Sequence, residues 1–251
     1  MRKFPVAVCA ATTVLGVLLG GCTSEADPAV RPKAATTTAN DMIISYSETE
    51  PANALVPGNT TEVGGIAILS ALFRGLTEYD ATTAAPRNAV ADSITTTDSK
   101  VWTIKIKPNW VFQDNTRVTA KSFVDAWNYT AYSPNLMKSA SYMSHIQGFD
   151  QVNNATPDGR QPATLPPAKE MSGLRIIDDQ TFTVTLSAPF AGFGLQLGYA
   201  AFFPMPASFF TDRKAFEAHP VGNGPFTFVS HTRGRNLLVK RFDGYSGAQK
   251  P

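Results

Sequence analysis

The chain has 251 residues, enough for one large domain or two small ones, and its 43% hydrophobic and 17% charged residues exclude an intrinsically disordered chain. The formal net charge is +2, and two of the basic residues, Arg2 and Lys3, fall in an N-terminal export segment; no nucleic acid or other polyanion partner is expected. The two cysteines are Cys9 and Cys22, so a chain that sheds the first with a leader keeps one thiol and no internal disulfide.

Arg2 and Lys3 precede an apolar run over residues 4–19, the layout of a secretory leader. The run closes in Leu19-Gly20-Gly21-Cys22, where small residues before a cysteine let the chain lie extended in a signal peptidase cleft. This tetrad resembles the lipobox of bacterial lipoproteins. The resemblance implies a signal peptide over residues 1–21, cleavage before Cys22 and acylation of that cysteine, with two or more acyl chains anchoring stably where one is marginal. The rival reading is an uncleaved membrane helix, because the run is almost long enough to span a bilayer. Residues 22–40, rich in Thr, Ala and Pro without apolar periodicity, read as a flexible tether.

The body opens with a short apolar run, Met42 to Tyr46, that fits a first buried strand, followed by Pro51, Asn53, Pro57 and Gly58, which demand a loop. Ile66, Leu69, Leu72 and Phe73 recur at helical spacing over residues 63–73, with Gly75 placed to end the helix. Residues 101–107 alternate, which puts Trp102, Ile104 and Ile106 on one face of a half-buried strand. Residues 110–113 suit a second strand, and Asp114-Asn115 tolerates a tight turn. Thr119 reads as the N-cap of a helix over residues 120–129 with Phe123, Val124 and Trp127 on one face. Residues 153–169 carry four prolines and read as a surface excursion. Residues 174–177 and 181–186 flank Asp178-Asp179 as a hairpin with Phe182, Val184 and Leu186 inward. Gly222-Asn223-Gly224-Pro225 reads as a sharp turn feeding a strand pair at residues 226–229 and 237–242.

This order of motifs resembles the oligopeptide and dipeptide solute-binding lipoproteins of ABC importers (family 5 extracellular solute-binding proteins). The most specific pieces are Val101-Trp102-Thr103-Ile104-Lys105-Ile106-Lys107 and the segment from Trp110 through Asp114-Asn115-Thr116 to Val124, similar to the family's "WTfxLRxxxxFxDGxPvTAxDFv" signature. Asn115 stands where the family has Gly, and Asn also tolerates a left-handed turn. Leu72-Phe73-Arg74-Gly75-Leu76, residues 177–186 and Gly222-Asn223-Gly224-Pro225-Phe226, which resembles "GTGPY", agree with it.

The resemblance implies an α/β, type II periplasmic-binding-protein-like fold: a first lobe with an inserted extra domain, the second lobe being absent from this chain. The implied division is first-lobe start at residues 41–60, extra domain with crossover at 61–170, and first-lobe continuation at 171–251. The implied role is capture of an extended oligopeptide outside the membrane and delivery to ABC permease subunits, without cofactor or catalysis. Main-chain pairing would give affinity independent of sequence. Thr61, Glu62, Val63 and Gly64 are expected at the cleft, and Ser139 to Tyr142 over it from the extra domain; a plain surface loop is the competing reading for each. Rival functions are a lipid-anchored peptide sensor without transport and a non-binding truncated remnant.

The remaining motifs carry no chemistry. His145, His219 and His231 lack metal-ligand spacing, Asp178-Asp179 suits a turn, no Gly-x-Ser-x-Gly elbow offers a nucleophile, and no Gly-Lys-Ser/Thr follows Gly222 and Gly224. Trp102, Trp110 and Trp127 are expected in the core.

Overall fold

A computed structural model describes residues 43–156 and 164–248, so the leader, Cys22, the tether and Met42 lie outside the described residues. In chain order the elements are α1 (Val63–Leu72), β1 (Thr77–Tyr79), β2 (Pro86–Asn88), β3 (Ala91–Thr95), β4 (Val101–Ile106), α2 (Ala120–Ala131), α3 (Phe149–Val152), β5 (Leu174–Asp178) and β6 (Thr181–Thr185). They continue with α4 (Phe193–Gln196), α5 (Ala207–Thr211), α6 (Arg213–Ala218), β7 (Phe226–Thr232) and β8 (Asn236–Arg241), and single 3-10 turns form at Ser133–Asn135, Ala140–Met143 and Ala200–Phe202.

The alternation over Val101–Ile106 makes β4 an inner strand of a four-stranded antiparallel sheet ordered β3-β4-β6-β5. Trp102, Ile104 and Ile106 face inward as expected, and Phe182 and Val184 of β6 join them. Strands from both sides of residue 171 therefore share one sheet, with Ile104 opposite Phe182 and Trp102 opposite Val184.

Helix α2 covers this apolar face. The Thr119 N–H donates to Ser122 Oγ at 3.1 Å, the reciprocal half of a capping box, and fixes where the helix starts. Phe123 and Trp127, one turn apart, then meet the Phe182 ring at 6.0 and 5.5 Å. Trp127 reaches on to Phe202 at 5.2 Å, and its indole N–H donates to the Phe202 carbonyl at 3.0 Å, so a large apolar group is buried with its one polar atom satisfied.

Three local expectations give way to tertiary context. Residues 43–46 form no strand, and Ile43, Ile44 and Tyr46 are exposed. Trp110 to Gln113 is not a full strand: one bridge joins Val111 to Arg117, around a turn in which Asn115 adopts φ 66° and Asp114 accepts from the Thr116 N–H at 2.9 Å. Helix α1 ends at Leu72 rather than Phe73, which is extended, and Ile66 stays exposed although it shares the helical period of buried Leu69 and Leu72. Helices α5 and α6, which have no counterpart in the sequence reading, seat Phe209 and Phe216 5.2 Å apart.

The hairpin β7-β8 forms a separate two-stranded sheet. It is tied to the segment before α1 by Glu50, whose carboxylate lies 2.8 Å from His231 Nε2 and accepts from the Gly234 N–H at 3.1 Å.

Candidate functional site

The loop over residues 51–60 brings two prolines and a glycine into a closed shape held by its own backbone. The Val56 carbonyl accepts from the N–H groups of Asn59 and Thr60 at 2.8 and 3.0 Å, and Thr60 Oγ1 donates to the Ala54 carbonyl at 3.1 Å. Gly58 lies on α2, where a Cβ would collide with the Thr130 side chain. Its carbonyl accepts from the Ser139 N–H at 3.0 Å. Two of the expected site segments are thus joined to one loop.

Glu62 is the residue before α1, and its side chain turns back on the loop. The carboxylate accepts from the Ala52 N–H at 3.0 Å and the Thr61 N–H at 3.1 Å. Desolvation pushes this carboxyl up, but the backbone N–H groups of Glu62, Thr61 and Ala52 outweigh it and hold the group below the ordinary glutamate value. Gly64 is buried under the crossing chain at Thr49, and a Cβ there would collide with the Thr49 carbonyl. Thr61 and Val63, in contrast, project outward, with Val63 74% exposed. Of the expected contact residues, Thr61, Val63 and Tyr142 present side chains to solvent, whereas Glu62, Gly64 and Ser139 shape the backbone beneath them.

Tyr142 lies on the 3-10 turn that follows Ser139, and its ring meets Tyr199 edge-on at 5.8 Å. Tyr199 in turn contacts Tyr79 of β1 at 6.1 Å. Sequence periodicity gave no signal for Tyr79 or Tyr199, because each sits in an aperiodic segment and the contact spans elements distant in the chain.

The far end of α1 is pinned by side chains that imitate backbone. Asn223 is fully buried; its Oδ1 accepts from the Arg74 N–H at 2.9 Å and its Nδ2 donates to the Arg74 carbonyl at 3.0 Å. Gln113 Oε1 accepts from the Gly222 N–H at 2.8 Å, while its Nε2 donates to the carbonyls of Phe226 at 2.6 Å and Leu72 at 3.1 Å. The glycines flanking Asn223 serve close approach: a Cβ on Gly222 or Gly224 would collide with the Leu72–Phe73 backbone.

The histidines occupy structural positions. His145 stacks on Phe190 at 4.4 Å and His219 meets Phe228 at 5.3 Å. Asp178 accepts from the Gln180 N–H at 2.8 Å in the β5-β6 turn, and that backbone donor holds its carboxyl low. Among the described residues, no group of His, Cys, Asp and Glu side chains is arranged to hold a metal ion, and no helix is long and apolar enough to cross a membrane.

Residues 85–251 match the family model described as bacterial extracellular solute-binding proteins, family 5 Middle. The periplasmic oligopeptide-binding protein OppA of Salmonella typhimurium is 31% identical over 179 residues, which cover 69% of this chain and 31% of that protein. The structure of the Escherichia coli murein tripeptide binding protein MppA superposes with a TM-score of 0.69 at 23% identity, over 79% of this chain and 38% of that one. The binding protein AgaA of A. tumefaciens, solved with agropinic acid, gives a TM-score of 0.63 at 25% identity, over 79% of this chain and 35% of that one. The chain therefore spans about a third of the length of these relatives. The α/β periplasmic-binding-protein-like fold is borne out, and the chain belongs to the family 5 bacterial extracellular solute-binding proteins.

Proposed function

We propose that this chain belongs to the extracytoplasmic substrate-binding component of an ABC-type peptide importer, anchored by acyl chains on Cys22, which captures extended oligopeptides and delivers them to permease subunits. The observation that carries this reading is the 31% identity to an oligopeptide-binding protein across 69% of the chain. The work asked of such a receptor is positional, and no bond is made or broken. An extended peptide offers a row of main-chain donors and acceptors, so a rigid loop edge can bind it without reading its sequence. Thr61, Val63 and Tyr142 offer direct contact in this reading, and Glu62, Gly64 and Ser139 hold the loop edge in place. Closure by hinge motion would then couple capture to delivery through different affinities of open and closed states.

Isothermal titration of the full-length protein, as its host produces it, against peptides of two to five residues tests the reading. Saturable binding, and loss of growth on a peptide as sole source of an essential amino acid when the gene is deleted, are the expected results. Binding of a sugar or metal complex but of no peptide, or turnover of a peptide or ester, would overturn it. The anchor is tested separately: Cys22→Ser should abolish incorporation of labelled palmitate and release the protein from the membrane fraction.

A further inference from the structure

We propose that Tyr199 and Tyr79, together with Tyr142, form an aromatic wall that receives an uncharged apolar or aromatic side chain of the bound peptide. The inference rests on the peptide-receptor reading and adds to it a specificity-determining surface. Most ring clusters in this fold are internal: Trp127, Phe182, Phe193 and Phe202 are fully buried. The three tyrosines differ, for they touch one another while Tyr79, Tyr142 and Tyr199 remain 37%, 42% and 44% exposed. Adjacent Leu195 is 54% exposed and extends the apolar character of the patch.

The wall is rigid before any ligand arrives. The Tyr79 hydroxyl donates to the Leu195 carbonyl, which fixes its polar end. Its ring lies on Gly198, where a Cβ would sit 2.8 Å from the ring edge, so any larger residue would lift it. Desolvation and the neighbouring Tyr199 phenol push the Tyr79 hydroxyl up, which keeps it neutral and donating. A preset ring surface binds with little loss of side-chain freedom, and the tilted Tyr79–Tyr199 pair and the edge-on Tyr142–Tyr199 pair offer exposed ring surface to a further aromatic group.

Position links the wall to the candidate site. Tyr142 follows Ser139 by one 3-10 turn, and the Ser139 N–H is bonded to the Gly58 carbonyl of the loop that leads into Thr61 and Val63. A peptide backbone lying along that loop edge would carry its side chains toward the tyrosines. Charge is not what this surface offers, since Glu78, beside Tyr79, is engaged by Arg74 at 3.7 Å and Arg87 at 3.0 Å.

The test uses trialanine and three tripeptides with phenylalanine at each position in turn, titrated into the full-length protein and its Tyr199→Ala and Tyr199→Phe variants. Tyr199→Ala should weaken at least one phenylalanine peptide about three- to tenfold while leaving trialanine within about twofold, and Tyr199→Phe should keep the wild-type preference. Nitration by tetranitromethane, mapped by mass spectrometry, gives a second readout that needs no variant: peptide should protect Tyr142 and Tyr199 and leave exposed Tyr46 reactive, while neutral Tyr79 reacts little in either state. Should Tyr199→Ala fail to fold, Tyr199→Leu and the nitration map decide. Equal loss for all peptides, or Tyr142 and Tyr199 nitrated at the same rate with peptide bound, would sink the wall and leave the receptor standing. A wild-type protein that binds no peptide would sink both.

Discussion

The sheet with α2 and the junction around α1 are built on different principles. In the sheet, apolar side chains on a strict period do the work: Trp102, Ile104 and Phe182 on one side and Phe123 and Trp127 on the other make one apolar interior. At the junction, small and polar residues do it, with Asn223, Gln113 and Glu62 each bonding backbone of a distant or adjacent segment. The first kind of region is stabilised by area removed from water and is hurt most where volume is lost. The second depends on a few bonds of fixed geometry. It therefore suits a surface that must keep a set shape.

The comparison can be broken most severely at Trp127. Trp127→Ala should cost about 3–5 kcal/mol in denaturant unfolding, and hydrogen exchange should rise across sheet and junction together, because the interior serves both. Exchange rising in the sheet alone would show two independent units. Next in size, Gly222→Ala and Asn223→Ala should each cost about 1–3 kcal/mol, the first by backbone collision and the second by leaving the Arg74 N–H and carbonyl unpaired. Here exchange should rise first in α1 and spare β4 and β6.

The smallest effect is expected at Glu62. Its carboxyl is held below the ordinary value of 4.5, so the folded state binds its proton less readily than the unfolded chain does. The stabilisation is present above the ordinary value and fades as pH falls through the folded one. Thermal melts of wild type and Glu62→Gln should differ at neutral pH and converge in acid; a constant gap would remove the carboxylate from the account.

The two regions were also unequally legible. The period-2 run at residues 101–106 and the helical face of Phe123 and Trp127 announce themselves, because burial selects apolar residues at fixed spacing. The family resemblance pointed to Thr61 to Gly64 and Ser139 to Tyr142, and the Ser139 N–H bonds the Gly58 carbonyl of the loop that precedes Thr61. What stayed hidden has a common cause. Gly222 and Gly224 read as a turn, yet they are small because Leu72 lies against them, and the partner is about 150 residues away. Tyr79 and Tyr199 belong to no periodic run, so only the folded chain reveals their contact. The strand expected at residues 42–46, of which 43–46 are described, and that at 110–113 failed because short apolar runs suit several environments, and in the second the chain bends around Asn115 instead.

Glu50 carries a consequence for the order of assembly. Its carboxylate fastens the approach to α1 to a hairpin whose Gly234 lies 184 residues further along. The entropy of closing so long a loop must be met before the contact returns anything. As the polypeptide emerges, its early segment therefore has only the local contacts of Thr49 with Gly64 and of Ala52 with Glu62 until nearly the last described strand has been made, and it remains more accessible to proteases and chaperones for that interval. Pulse-labelled nascent chains halted before residue 222 should show the cleavage sites near Glu50 open, and those halted after residue 241 should show them closed.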